Sequence, residues 1–128
     1  YVVQMVADAL NERGRAVRRA RILVLGVAYK ANVADTRDSP AIEIIETLRA
    51  KGAVVAYHDP FVPRVTVNRT ELASVRWSDA EVGAHDLVLI LTAHGTYDWA
   101  AIVSGARLVI DTRNATGGLP PAPHVIRL

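Results

Sequence analysis

Short, uninterrupted apolar runs, each parted from the next by a stretch of helical period, are the feature of this chain that most limits its architecture. Arg21-Ile-Leu-Val-Leu-Gly26, Ala53-Val-Val-Ala-Tyr57, Asp86-Leu-Val-Leu-Ile-Leu-Thr92 and Arg107-Leu-Val-Ile-Asp111 carry no inner polar residue at alternate positions. Strands of this kind need cover on both faces, and helices supply it. Between the first two runs, Ser39 is an N-cap residue and Pro40 stands at the first helical position. Ala41, Ile44, Ile45 and Leu48 then share one side of a helix over 40–51, and Gly52 ends it. A helical crossover between two apolar strands predicts a right-handed βαβ unit with parallel strands.

The alternation continues. A brief helix over 79–83 leads into the 86–92 run, the most apolar in the chain and the expected central strand. A helix over Tyr97 to Val103, the strand at 107–111, the Gly117-Gly-Leu-Pro-Pro turn and a final extended His124 to Leu128 follow. Phe61 to Glu71, interrupted by Pro63, Arg64 and Asn68, is expected to be loop, with a short strand near Val75 to Trp77. The fold class is therefore α/β: a three-layer, doubly wound, Rossmann-like parallel sheet preceded by an N-terminal helix. That helix begins in mid-pattern. Tyr1 to Leu10 aligns Val2, Val3, Val6 and Leu10 with no cap and no initiating methionine, as if cut from something longer.

With 128 residues and 51% hydrophobic content, the chain suits one domain with a real core and not two. Net charge is +2, and the arginines are dispersed except for Arg13, Arg15, Arg18, Arg19 and Arg21. That cluster suits a solvated linker, or else a contact with nucleic acid. The absence of cysteine excludes disulfides and thiolate zinc sites and suits a reducing cytoplasm. No apolar run approaches the roughly 20 residues that span a bilayer, so a soluble cytoplasmic protein is expected.

Ligands of doubly wound sheets sit beyond the carboxyl ends of the strands, where the winding reverses. The polar residues gather there: Tyr29-Lys30, His58-Asp59, Thr92 with His94, and Asp111-Thr-Arg113. Gly26 is followed by Val27, Ala28, Tyr29 and Lys30, so no G-x-G-x-x-G cradle exists. Lys30 and Arg37 would instead serve a diphosphate as side-chain charges, aided by the helix start at Ser39-Pro40. Equally, both could pair with Asp35 and Asp38 on the surface. Arg113, at the same edge as Lys30, either reaches the same ligand or contacts Asp111. Asp59-Pro60 reads as a strand-ending turn. The four histidines, His58, His85, His94 and His124, lack the spacing and acidic companions of a metal site. With no nucleophile and base at recognisable spacing, the residues describe a nucleotide- or anion-binding domain without catalytic groups.

Gly26-Val-Ala-Tyr-Lys30, Asp35-Thr-Arg37, Ser39-Pro40 and Tyr57-His-Asp-Pro60, continued by Leu89 to His94 and Asp111-Thr-Arg-Asn114, resemble the carboxyl-terminal domain of the UDP-glucose/GDP-mannose dehydrogenase family. The Tyr-Lys form of the first motif is more similar to the UDP-N-acetylhexosamine 6-dehydrogenases than to the UDP-glucose enzymes, which more often carry Phe-Lys. This resemblance implies that Tyr29, Lys30 and Arg113 bind the UDP-sugar substrate and that Arg37 reaches NAD on an amino-terminal domain of the same chain. It also implies that residues 1–19 are the tail of an interdomain and dimerisation helix with its linker, and 20–128 the UDP-sugar-binding domain. Family chemistry oxidises the C6 hydroxyl twice to a carboxylate, with two NAD and a cysteine nucleophile, for polysaccharide biosynthesis. Without that cysteine these residues alone should bind uridine diphosphate weakly and catalyse nothing. A UDP-glucose 6-dehydrogenase domain and a free-standing, non-catalytic nucleotide-binding module are the alternatives. A receiver-like signalling domain would want an acidic pair where Tyr29-Lys30 stands.

Overall fold

Residues 1–128 are described by a computed structural model. In chain order the elements are α1 (Val2–Glu12), β1 (Arg21–Leu25), α2 (Pro40–Ala50), β2 (Val54–His58), β3 (Arg64–Val67), β4 (Thr70–Ala73), α3 (Asp79–Ala84), β5 (Leu87–Ile90), α4 (Trp99–Gly105), β6 (Val109–Asp111) and β7 (Val125–Arg127). Five strands form one parallel sheet in the order β2-β1-β5-β6-β7, with β5 at its centre. The winding reverses between β1 and β5.

The period of two along each strand divides the core. Ile22, Val24, Leu87, Leu89 and Ile110 pack with Val6 and Leu10 of α1 and Ile45 and Leu48 of α2. Their neighbours Leu23, Leu25, Val88, Ile90 and Val109 pack on the other face with Val82 of α3 and Ile102 of α4. Each large aliphatic side chain removed from water contributes about 1.5–3 kcal/mol, which makes these two layers the main stabilising term. α2 starts as expected, with the Ser39 hydroxyl accepting from the Ala41 N–H at 3.3 Å and Pro40 next in line. Val2 and Val3 of α1 are only partly buried, whereas Val6, Ala9 and Leu10 are fully so.

Three local expectations need correction. Phe61 to Glu71 is not loop throughout, since β3 and β4 pair as an antiparallel hairpin through Val65↔Leu72 and Val67↔Thr70. Its turn, Asn68-Arg69, has positive φ at both residues (46° and 66°), the arrangement whose twist suits a two-residue hairpin. Arginine at the second turn position hid it. Val75 to Trp77 forms no strand; Val75 N–H gives a single bond to the Tyr57 carbonyl, at 2.8 Å, and the ladder stops. α4 begins at Trp99 rather than Tyr97, because the Asp98 carboxylate caps the Ala101 N–H at 3.1 Å.

The basic linker lies against the amino ends of the strands. Asp86 accepts from Arg15 and from the Arg21 N–H, both at 2.8 Å, and Arg13 donates to the Arg107 carbonyl at 3.1 Å.

Register brings Leu25, His58, Ile90 and Asp111 to one level, so four strands end together. Gly26, the next residue of β1, has φ +87° and approaches Thr92 so closely that an added Cβ would stand 2.4 Å from the Thr92 Cβ. Gly26→Ala combines a disfavoured backbone region with a clash, and should lower stability by about 3 kcal/mol or more. Urea denaturation checks this, and a loss below about 1 kcal/mol would contradict it.

Candidate functional site

Asp59, the first residue after β2, is 2% exposed and organises the edge where the strands end. Its Oδ2 accepts from the Val27 N–H (2.8 Å), the Ala28 N–H (3.2 Å) and His94 Nε2 (2.8 Å), and its Oδ1 from the Phe61 N–H (2.8 Å). His94 follows β5 and is wholly buried. Its Nδ1 accepts from the Asn32 N–H at 2.8 Å, which leaves the ring proton on Nε2, facing Asp59. Thr92 Oγ1 donates to the Ala28 carbonyl at 2.8 Å, and Asn32 Oδ1 accepts from the Gly95 N–H at 2.8 Å. By sequence alone Asp59-Pro60 reads as a strand-ending turn and His94 as a strand-end polar residue without the spacing of a metal ligand. The available signal was an aspartate directly abutting a strand, in the run Tyr57-His-Asp-Pro60.

This network carries Tyr29, Lys30 and Ala31 outward. Tyr29 is 52% exposed, and Lys30 is exposed with neither an ion pair nor a hydrogen bond to its ammonium. Arg37 differs. Its Nε and Nη2 hold the Asp35 carboxylate at 3.0 and 2.9 Å, and this hydrogen bonding draws the Asp35 carboxyl down to about 2. Of the two surface pairings left open by the sequence, Arg37 with Asp35 forms and Lys30 forms neither.

Arg113 sits two residues past β6 on a turn built around Asp111. Burial works against that carboxylate, but bonds from Thr116 Oγ1 (2.7 Å) and the N–H groups of Thr116 (2.8 Å), Arg113 (3.0 Å) and Ala115 (3.1 Å) prevail and hold it below its ordinary value. The contact between Asp111 and Arg113 is thus main chain to carboxylate, and the Arg113 guanidinium is left exposed. With β5 lying between β1 and β6, Lys30 and Arg113 rise from strands about 10 Å apart.

Beside the edge, His58, Trp77, Tyr97 and Trp99 form an aromatic cluster with ring centroids 4.9–5.5 Å apart. Tyr97 donates its hydroxyl proton to the His58 carbonyl at 2.9 Å and accepts from His58 Nδ1 at 2.8 Å. Burial lowers the His58 value, with the Asp59 charge opposing and His94 adding to the effect. No three acidic or imidazole groups converge to hold a metal ion.

The edge can bind an anion through side chains, not through main chain. The Val27 and Ala28 N–H groups that would cradle a pyrophosphate are already taken by Asp59, and the space at Gly26 is filled by Thr92. NAD therefore does not fit a cradle on these residues. The surface clefts of the molecule lie elsewhere, as between α2 and the β3–β4 hairpin, and none includes Tyr29, Lys30 or Arg113. The strand ends are an open wall.

The lowered His58 value predicts a pH dependence. Unfolded histidine, near 6.5, takes up protons before the folded residue does, so stability should fall as pH drops below about 6.5. Thermal unfolding at pH 7.5 and 5 should show a smaller loss in His58→Gln than in the parent, and equal losses would remove His58 as the cause.

Residues 23–118 match the model of the UDP-glucose/GDP-mannose dehydrogenase family, UDP binding domain. A UDP-N-acetyl-D-mannosamine dehydrogenase of Pyrococcus horikoshii is 30% identical over 132 residues, covering 99% of this chain and 29% of its own. A UDP-glucose 6-dehydrogenase of Rickettsia bellii is 31% identical over 121 residues, covering 88% and 27%. The solved structure of the UDP-D-ManNAc dehydrogenase from Pyrococcus horikoshii superposes with a TM-score of 0.76 at 28% identity, over 97% of this chain and 29% of that one. The chain spans less than a third of the length of these relatives. It also has no helix long and apolar enough to cross a membrane. The parallel sheet wound about a switch point and the family match over residues 23–118 lead to one conclusion: the chain belongs to the UDP-glucose/GDP-mannose dehydrogenase family, as its UDP-binding domain.

Proposed function

We propose that this chain is the UDP-sugar-binding part of an NAD-dependent nucleotide-sugar 6-dehydrogenase, with UDP-N-acetylglucosamine or UDP-N-acetylmannosamine as substrate. The observation that carries it is the pair of exposed cations, Lys30 and Arg113, standing on either side of the central strand at the switch-point edge. Lys30 contributes a compact point charge and Arg113 a planar fork, a combination suited to a diphosphate. Tyr29, half exposed beside Lys30, offers a flat apolar surface to the nucleotide. Because the edge is a wall and not a pocket, the substrate lies in a cleft that a second domain closes.

In this reading residues 1–19 are the tail of an interdomain and dimerisation helix with its linker, and 20–128 the binding domain. An amino-terminal domain of the same chain holds NAD. The cofactor supplies hydride acceptance, and the role of the present residues toward it is limited to Arg37, which can approach an anionic group only while sharing its fork with Asp35. The catalytic cysteine comes from outside these residues, so they are inactive by themselves. The whole protein works as a cytoplasmic homodimer that makes uronates for polysaccharide, with no role for nucleic acid or membrane. A UDP-glucose substrate is the competing choice, supported by the Rickettsia relative at 31% identity. A non-catalytic binding module is the other alternative, and it requires that no G-x-G-x-x-G strand turn and no cysteine nucleophile be encoded upstream.

Titration of the chain with UDP tests the site. Lys30→Ala and Arg113→Ala each remove a charge-assisted contact of roughly 1.5–3 kcal/mol, a loss of about ten- to a hundredfold in affinity. Less than a twofold change in both would refute the assignment. In the intact dehydrogenase, Arg37→Ala should raise the KM for NAD more than that for the UDP-sugar, and equal rises would count against its cofactor role.

A further inference from the structure

We propose that the buried Asp59–His94 pair is a positioning device that holds Tyr29, Lys30 and Ala31 as a rigid arch, and that its hold on the arch sets the affinity of Lys30 for a nucleoside diphosphate. This rests on the reading of Lys30 as a diphosphate contact. Both feet of the arch stand on the same pair. At the first foot, Asp59 Oδ2 receives the Val27 and Ala28 N–H groups while Thr92 Oγ1 binds the Ala28 carbonyl. At the second, His94 Nδ1 receives the Asn32 N–H, and Asn32 Oδ1 ties back to the Gly95 N–H. Asn32 has φ +62°, a left-handed turn that asparagine tolerates, so the chain reverses at that foot. The two members also bond each other, His94 Nε2 to Asp59 Oδ2 at 2.8 Å, but each grips its own foot. The three residues between them are exposed at Tyr29, Lys30 and Ala31.

A folding role alone asks for an acceptor to the buried Val27 and Ala28 N–H groups, which Asp59 supplies, but not for a second buried polar group reaching the exposed Asn32, because desolvating an imidazole is costly. The polar pair does what apolar residues cannot: it receives three main-chain N–H groups of one loop at fixed positions. Fixing the loop before the ligand arrives removes an ordering cost from binding, and an ammonium displaced by about 1 Å loses much of its contact.

The two nitrogens of His94 can be separated by substitution. His94→Asn keeps an acceptor near the Nδ1 position and loses the donor to Asp59, whereas His94→Gln keeps a donor near Nε2 and loses the acceptor for Asn32. Backbone 15N relaxation of the ligand-free chain should find Tyr29, Lys30 and Ala31 ordered in the parent and in His94→Asn. In His94→Gln the order parameters of Lys30 and Ala31 should fall from about 0.85 towards 0.6, while Tyr29, whose N–H also bonds the Asp35 carbonyl at 2.6 Å, should change less. UDP titration should follow the same division, with affinity about tenfold weaker for His94→Gln and within about twofold for His94→Asn. Equal loop order in the two variants, with affinity following only their thermal stability, overturns the proposal. If neither variant folds, hydrogen exchange of the parent serves: an Asn32 amide protected alongside those of Val27 and Ala28 supports the clasp, and an Asn32 amide exchanging as freely as open loop overturns it. A parent chain that ignores UDP while the relaxation data divide as expected would remove the ligand reading and leave the clasp standing.

Discussion

One carboxylate, Asp59, decides what the carboxyl edge of this sheet is able to do. Placed where β2 ends and shielded from water, it must be satisfied by neighbours, and it takes main-chain N–H groups from the loop after β1, from its own turn at Phe61, and a proton donor from beyond β5. Three strands that are remote in sequence are thereby joined at one level. The parallel ladders bring Leu25, His58 and Ile90 into register, and this one group bonds to the loops that leave all three.

Its position has a chemical consequence. In many wound α/β folds the glycine-rich turn after the first strand offers its main-chain N–H groups to a phosphate. Here the equivalent N–H groups belong to an internal carboxylate, and Thr92 occupies the space beside Gly26 that a pyrophosphate would need. An internal anion has replaced the ligand's anion in the cradle. In the proposed function recognition passes to side chains that stand clear of the edge, Lys30 and Arg113, each on a turn whose backbone is held from beneath by a buried aspartate. Asp111 repeats under Arg113 what Asp59 does under Lys30, by accepting four bonds within one turn.

The opposite edge is tied down by different means. Asp86 receives Arg15 and the Arg21 N–H, so the linker from α1 is bound to the amino ends of the strands while α1 itself is buried through Val6, Ala9 and Leu10. Both the helix and the carboxyl edge are thus fixed to a single two-layered core.

Much of this was legible in the chain. Unbroken apolar runs determined a buried parallel sheet, because strands with no polar face need cover on both sides, and Ser39-Pro40 with Gly52 marked where α2 starts and stops through local backbone preferences. The order of motifs also placed Lys30 and Arg113 at strand ends, since position after a strand is a property of sequence once the strands are known. The β3–β4 hairpin was hidden, its strands being four residues long and its turn using arginine where glycine would be the usual signal. Which cation pairs with Asp35 was also undecided, because Lys30 and Arg37 flank it in one loop and only the loop's path brings one of them to it. The Asp59–His94 pair depended wholly on tertiary structure: its members are 35 residues apart and meet only because β1 brings the ends of β2 and β5 to the same level. The sequence by itself therefore determined the layers and the edge, through local period and cover, whereas the partner of each polar group there was decided by strand order, which no local pattern encodes.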